Sequence, residues 1–265
     1  MISYRGICLS VCDIARDVAH FIKNQSSGFD RNKIEYKGWN NLVSYVDVTA
    51  EQKLIESLSQ LIEGCGFICE EESVAVKEAE YKWIIDPLDG TTNFIHGLPP
   101  YCVSIALLQK DELVAGVIYE PNLNECFYAW KGGGAWLNDN RIKVSEVSEL
   151  KQSLIATGFP YTNYERKGPY MEVFDFCMLN TQGLRRLGSA AVDLAYVACG
   201  RFEGFYEYGL KPWDVAAGAL IIKEAGGSVS DFKGSNNFLF GEEMVATNQN
   251  IHASFVNVVK EKFGY

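Results

Sequence analysis

Apolar and polar positions follow two different rhythms along this chain of 265 residues. Near the start, Ile7, Val11, Ile14, Val18 and Phe21 recur at steps of three and four, which places them on one face and predicts a long helix. A second helix is expected from about residue 47 to 64, with Leu54, Leu58, Leu61 and Ile62 on its apolar side. Short apolar runs at 103–108, 113–119, 126–130 and 135–144 follow, separated by Lys110-Asp111-Glu112, Pro121-Asn122-Leu123-Asn124 and Gly132-Gly133-Gly134. Runs of this length between turn formers predict an antiparallel meander. No helical pattern follows the three glycines, so they read as a hairpin turn and not as a nucleotide loop. From about residue 153 strands alternate with helices, the latter expected at 189–198, 214–225 and 251–263. The chain therefore reads as α+β over 1–150 and α/β over 151–265, with a soft change of pattern near 150 and no linker, repeat or low-complexity segment.

Candidate chemistry is densest in Trp83-Ile84-Ile85-Asp86-Pro87-Leu88-Asp89-Gly90-Thr91-Thr92-Asn93-Phe94. An apolar strand-like run stops there at two carboxylates, a glycine and two hydroxyls. Pro87 removes a backbone donor and biases Asp86 to an extended conformation, which predicts Asp86 at a strand end and Asp89 across a tight turn. Gly90 permits close backbone approach to a ligand, and Thr91 and Thr92 bring hydroxyls and N–H groups where the next segment begins. Two adjacent carboxylates repel unless cations neutralise them, and hard oxygen donors suit Mg²⁺ better than zinc. The competing reading is a capped strand-to-helix turn with solvated acids. Two further acidic points are Cys69-Glu70-Glu71-Glu72, otherwise a solvated charge run, and Trp213-Asp214, otherwise an N-cap of the helix that follows. Carboxylates supplied by separate elements are what a two-metal phosphatase requires, since metals roughly 3.5–4 Å apart must clamp one phosphate.

These residues resemble the Mg²⁺-dependent, lithium-sensitive inositol monophosphatase family. The resemblance covers nearly the whole chain, through Phe67-Ile68-Cys69-Glu70-Glu71, the run from Asp86 to Phe94 with His96-Gly97-Leu98-Pro99, Gly188-Ser189-Ala190-Ala191-Val192-Asp193-Leu194, and Trp213-Asp214 with Glu224-Ala225-Gly226-Gly227. It implies the layered αβαβα sugar-phosphatase fold and two or three Mg²⁺ ions held by Glu70, Asp86, Asp89, Asp214 and the backbone carbonyl of Leu88. It also implies direct attack by a metal-activated water that Glu70 and Thr91 orient, with Thr91 held by Asp47, and no covalent phosphoenzyme. Consistent with that, no cysteine begins a C-x5-R pocket and no GxxxxGK[ST] loop is present. His96, the one histidine near the signature, reads as structural.

On the substrate side the resemblance implies a polyol monophosphate such as inositol 1-phosphate, contacted by Gly90, Thr91, Gly188, Ser189 and Ala190, with Glu207 accepting ring hydroxyls. A carboxylate that accepts two hydroxyl bonds strongly rejects analogues that leave it unpaired. Ser189 alternatively just caps its helix, and Arg185-Arg186 can contact phosphate, a neighbouring subunit or solvent. The chain departs from the family pattern at Asn41, where an acid is usual, and at Ser44, where threonine is usual, whereas Lys37 and Asp47 match. Asn41 keeps an acceptor oxygen but loses a charge, which bears on metal affinity and lithium potency. Glu71 is a further candidate contact. Rival substrates within the superfamily are 3′-phosphoadenosine 5′-phosphate, fructose 1,6-bisphosphate and NADP; Thr92 stands where the nucleotide-preferring branch usually has a basic residue. A rival of another class is a non-catalytic regulatory protein that retains the fold.

Composition narrows the classes further. With 48% hydrophobic and 22% charged residues the chain can bury a large core. A net charge of −10 argues against a nucleic-acid surface. No window approaches transmembrane length and no signal-peptide pattern opens the chain, so a cytoplasmic enzyme with no membrane partner is expected; a homodimer is expected with the family resemblance and not from composition. Eight cysteines without CxxC pairs read as free thiols and not as a disulfide or zinc framework.

Overall fold

The computed structural model describes residues 2–26, 34–38, 41–74, 77–160 and 163–265. Helix α1 (Tyr4–Ser26) buries Cys8, Val11, Cys12, Ala15, Val18, Ala19 and Ile22. The expected stripe is thus rotated by about one residue: Ile7, Ile14 and Phe21 flank the contact, and small cysteines and alanines at its centre let the helix lie close to its sheet. A hairpin of β1 (Ile34–Gly38) and β2 (Asn41–Ser44), absent from the sequence expectation, leads into α2 (Tyr45–Ser59). Ser44 caps α2 in a reciprocal capping box with Asp47, which is why the helix begins two residues before the expected 47.

A seven-stranded sheet follows in simple order: β3 (Gly66–Cys69), β4 (Tyr81–Asp89), β5 (Cys102–Gln109), β6 (Glu112–Glu120), β7 (Glu125–Trp130), β8 (Ala135–Leu137) and β9 (Asn140–Ile142). Only the β3–β4 pair is parallel; the remainder is the expected meander. The last expected run divides into β8 and β9 because Asn138 and Asp139 both take left-handed backbone, at φ 45 and 65. Helix α3 (Thr91–His96) leaves the end of β4.

The second sheet has the order β11-β10-β12-β14-β13, from β10 (Leu154–Thr157), β11 (Gly183–Arg185), β12 (Gly204–Tyr208), β13 (Ser228–Ser230) and β14 (Glu243–Thr247). Strand β10 runs parallel to both neighbours, whereas β14 is antiparallel to β12 and β13. Helices α5 (Ala190–Ala198), α6 (Pro212–Glu224) and α7 (His252–Phe263) lie close to the expected ranges. Helix α4 (Lys167–Asn180) was not expected. Its Tyr170, Val173 and Cys177 are buried while Met171, Met178 and Leu179 face outward, so apolar residues on both sides erase the stripe that would have marked it.

Three cores order the layers. Helices α1 and α2 cover one face of the large sheet; α5 and α6 fill the space between the sheets; α4 and α7 cover the far face of the small sheet. The result is the layered αβαβα arrangement, and its middle core is shared by residues from both sides of position 150. Close approach there depends on glycine: a Cβ at Gly116 of β6 would lie 3.0 Å from the carbonyl oxygen of Ala217 in α6. Among the described residues no helix is long and apolar enough to cross a membrane, and the cysteines are free thiols.

Candidate active site

Strand β4 does not stop at Asp86 as the sequence suggests. It continues through Pro87 to Asp89, with Asp86 opposite Ser104 and Asp89 opposite Cys102, so three steps on β4 meet two on β5. The extra residue is a bulge, and it falls where Pro87 has no N–H to give the ladder. The bulge, in place of the expected tight turn, aims both acids out of the sheet end. Asp86 Oδ1 accepts the Leu88 N–H at 2.9 Å, and the Leu88 carbonyl accepts the Thr91 hydroxyl at 3.0 Å. Gly90 then turns the chain at φ 95, with an added Cβ only 3.0 Å from the Pro100 oxygen, so a side chain would be strained and tightly crowded.

Other elements bring their side chains to this end. Thr91 Oγ also lies 3.1 Å from Asp47 Oδ1, while the other Asp47 oxygen receives the Ser44 N–H at 2.9 Å and its hydroxyl at 2.6 Å. Glu70 follows the last residue of β3, its own N–H bonded to the Ile85 carbonyl at 3.3 Å. Asp214 stands in the first turn of α6 and accepts the Lys211 N–H at 2.6 Å, so the capping expected of it coexists with a place in the site. Ser189 likewise caps α5, and its hydroxyl also donates to Asp89 Oδ2 at 2.6 Å; the Ala191 N–H joins it at 2.7 Å. The helix terminus that sequence reasoning offered to a ligand is thus turned first to Asp89.

Four acids in one place, Asp86 buried and Glu70, Asp89 and Asp214 half-buried, cannot all ionise without compensation. Burial, then the charge of Asp214, pushes Glu70 well above the usual carboxylate range; burial, then Glu70 and Asp89, does the same to Asp86. Burial also raises Asp89, although Ser189 and the α5 amides oppose the rise, and raises Asp214 to about 7 with Asp89 contributing. Glu70 Oε2 is buried with no hydrogen-bond partner. Among the described residues no three His, Cys, Asp or Glu side chains form a finished metal cage. Hard cations nevertheless complete their shells with backbone carbonyls, water and substrate, so an orphaned carboxylate oxygen beside crowded acids suits them.

These groups open on a cavity of about 540 Å³ whose lining includes Glu70, Glu71, Asp86, Leu88, Asp89, Gly90, Thr91, Gly188, Ser189, Ala190, Glu207 and Asp214. Glu207, from β12, lies against Gly158, where a Cβ would come within 2.0 Å of its carboxylate, and burial raises it to about 8. Of the arginine pair, Arg185 is exposed and donates to the Leu184 carbonyl, while Arg186 lines the cavity above the Phe159 ring at 5.5 Å. Arg185 is therefore not at the site, and its neighbour is. His96 is exposed at the end of α3. The side chains of Lys37 and Asn41 lie outside the described residues. Sequence reasoning left Arg186 among alternatives and missed the buried Asp193 in the cavity wall and Glu51. Glu51 was marked by its spacing: with Asp47 it interrupts the buried stripe of Ala50, Leu54 and Leu58 on α2.

The family model described as the inositol monophosphatase family matches residues 9–262. The chain is 43% identical over 230 residues to an inositol-1-monophosphatase of Mesorhizobium japonicum, covering 86% of each chain. It is 40% identical over 238 residues to the Nus factor SuhB of Escherichia coli, covering 89% of each. Among solved structures, the extragenic suppressor protein suhB of Bartonella henselae superposes with a TM-score of 0.92 at 37% identity, over 97% of this chain and 99% of that one.

Proposed function

Because the chain belongs to the inositol monophosphatase family, a family of metal-dependent phosphatases, we propose that it hydrolyses inositol 1-phosphate or a similar polyol monophosphate with magnesium as cofactor. The observation that carries this reading is the meeting of Glu70, Asp86, Asp89 and Asp214, from three separate segments, in one cavity beside Thr91, whose hydroxyl Asp47 holds.

Glu70, Asp86, Asp89, Asp214 and the Leu88 carbonyl would hold two or three magnesium ions, which when bound neutralise these acids and the phosphate and acidify a water. Thr91 and Glu70 orient the attacking water by hydrogen bonds, and Asp47 fixes the Thr91 hydroxyl so that its lone pair faces the water. Gly90 and Gly188 both line the cavity, where a Cβ would meet Pro100 and the Arg186 side chain respectively, and their contact with phosphate oxygens rests on the family resemblance. Ser189 and the α5 amides are engaged by Asp89, so their part in phosphate binding, with Ala190, rests on the family resemblance alone. Glu207 lines the cavity, and among the described residues no side-chain hydrogen bond engages its carboxylate, which leaves it to accept substrate hydroxyls.

The test is phosphate release from inositol 1-phosphate, 3′-phosphoadenosine 5′-phosphate, fructose 1,6-bisphosphate and NADP, each with Mg²⁺ and with EDTA, followed by a lithium titration. The expected result is Mg²⁺-dependent, lithium-inhibited turnover that favours the inositol ester; preference for another ester would reassign the substrate, and full activity in EDTA would end the metal mechanism. A second reading comes from the likeness to a protein named as a Nus factor. Absence of turnover on all four esters, with Mn²⁺ still bound, would favour a regulatory protein that keeps the fold.

A further inference from the structure

Glu51 is fully buried, yet the chemistry above makes no use of it. It stands four residues after Asp47 on α2, so both carboxylates leave the helix on the same side. Each reaches a different part of the site. Asp47 holds the Thr91 hydroxyl at 3.1 Å, while the two Glu51 oxygens accept the N–H groups of Glu71 at 2.8 Å and Ser73 at 2.9 Å. Those amides belong to the segment that carries Glu70 out of β3, where Glu72 takes left-handed backbone at φ 54. A buried carboxylate between two amides forms short charge-assisted bonds, and removing it strands both donors.

We propose that Glu51 is a positioning residue that fixes the Glu70 carboxylate for metal, so that the single helix α2 registers Thr91 and Glu70 against each other. The inference rests on the reading of Glu70 as a metal ligand. Burying a charge in the apolar stripe of α2 is costly, and Glu51 gains no core contact that an aliphatic residue would not make better. What it alone supplies is a rigid link from a helix to the loop behind a ligand. Groups that orient a ligand in this way typically change metal affinity about 10–100-fold when altered.

Glu51→Gln keeps the shape but sets an amide NH₂ against one backbone N–H. Calorimetric titration of Mn²⁺ into the full chain should show about tenfold weaker binding, with faster hydrogen exchange at Glu71 and Ser73 and a raised Mg²⁺ half-saturation at unchanged substrate KM. Faster exchange with unchanged Mn²⁺ affinity would reduce Glu51 to a structural clamp and overturn the proposal. Should the variant not fold, the wild-type protein decides: Mn²⁺ saturation is expected to slow exchange at the same two amides, and no change would overturn the link. Glu70→Gln separates the two layers of the argument. If it binds Mn²⁺ as tightly as wild type, the metal-site reading falls and this inference with it; if it binds weakly while Glu51→Gln binds normally, only the positioning role falls.

Discussion

Asp86 is crowded by Glu70 and Asp89 and has one oxygen on the Leu88 amide, so its charge is tolerated only when something positive shares the site. Asp86→Asn should lower Mg²⁺-supported turnover by more than the ~10–100-fold expected of residues behind the ligands. The same change should stabilise the metal-free protein, since it relieves repulsion; about 2–4 °C in melting midpoint is expected per kcal/mol relieved in a chain of this class. Activity lost together with a lower midpoint in EDTA would point to damage and not to chemistry. Beside the other raised carboxyls of Glu70, Asp86, Asp89 and Glu207, Asp214 contributes to the pH dependence. Its carboxyl is raised to about 7 in the fold, so the native state without metal binds an extra proton; the associated stability is present in acid and is lost as pH rises through 7. The melting midpoint in EDTA should therefore decline from the ordinary carboxylate range up to about pH 7, and Asp214→Asn should lessen the decline; an identical slope in the variant would contradict the burial argument. Glu207 separates recognition from chemistry. Glu207→Gln should reduce kcat/KM for inositol 1-phosphate more than for a featureless aryl phosphate, whereas Thr91→Ala should slow both. Equal losses for Glu207→Gln would remove its hydroxyl-reading role.

At the scale of elements, what could be read in the sequence was whatever is contiguous. The run from Asp86 to Phe94 carries its acids, glycine and hydroxyl within nine residues, so the chemistry showed without the fold. Its backbone did not: Pro87 suggested a strand end, and the strand instead absorbs it as a bulge because β5 continues to pair on either side. Glu51 escaped, and Arg186 stayed undecided between phosphate, subunit and solvent, because their places arise only where α2 and the loop after β11 come to rest. Helix α4 escaped because its exposed Met178 and Leu179 mask the period. Helix α2 is the element on which most depends, and its N-terminus can be tested directly. Ser44→Ala removes both the cap to Val46 and the 2.6 Å bond to Asp47, and a lost cap of this kind costs ~1 kcal/mol. The expected result is a midpoint lower by a few degrees together with reduced kcat, because Asp47 no longer holds Thr91 as firmly. A stability loss with kcat intact would show that Thr91 is held by Leu88 alone.

On the scale of the whole molecule, the site exists because two sheets meet through α5 and α6. The large sheet supplies Asp86 and Asp89, α5 supplies the Ser189 hydroxyl and Ala191 amide that steady Asp89, and α6 supplies Asp214. The spacing of those two helices is set at Gly218, where an added Cβ would lie 2.5 Å from Leu194 Cβ. A contact that short cannot be accommodated without moving one helix relative to the other, and overpacking of a dense core costs about 1–3 kcal/mol. Gly218→Val should accordingly lower the denaturation midpoint and weaken Mn²⁺ binding together, since separating α5 from α6 moves Asp214 away from Asp89. Mg²⁺ at high concentration should recover part of the lost stability, because binding to the native state pulls the helices back into register. Reduced stability with wild-type Mn²⁺ affinity would show that the four acids hold their arrangement independently of the middle layer, and that each sheet end, not the packing between them, defines the site.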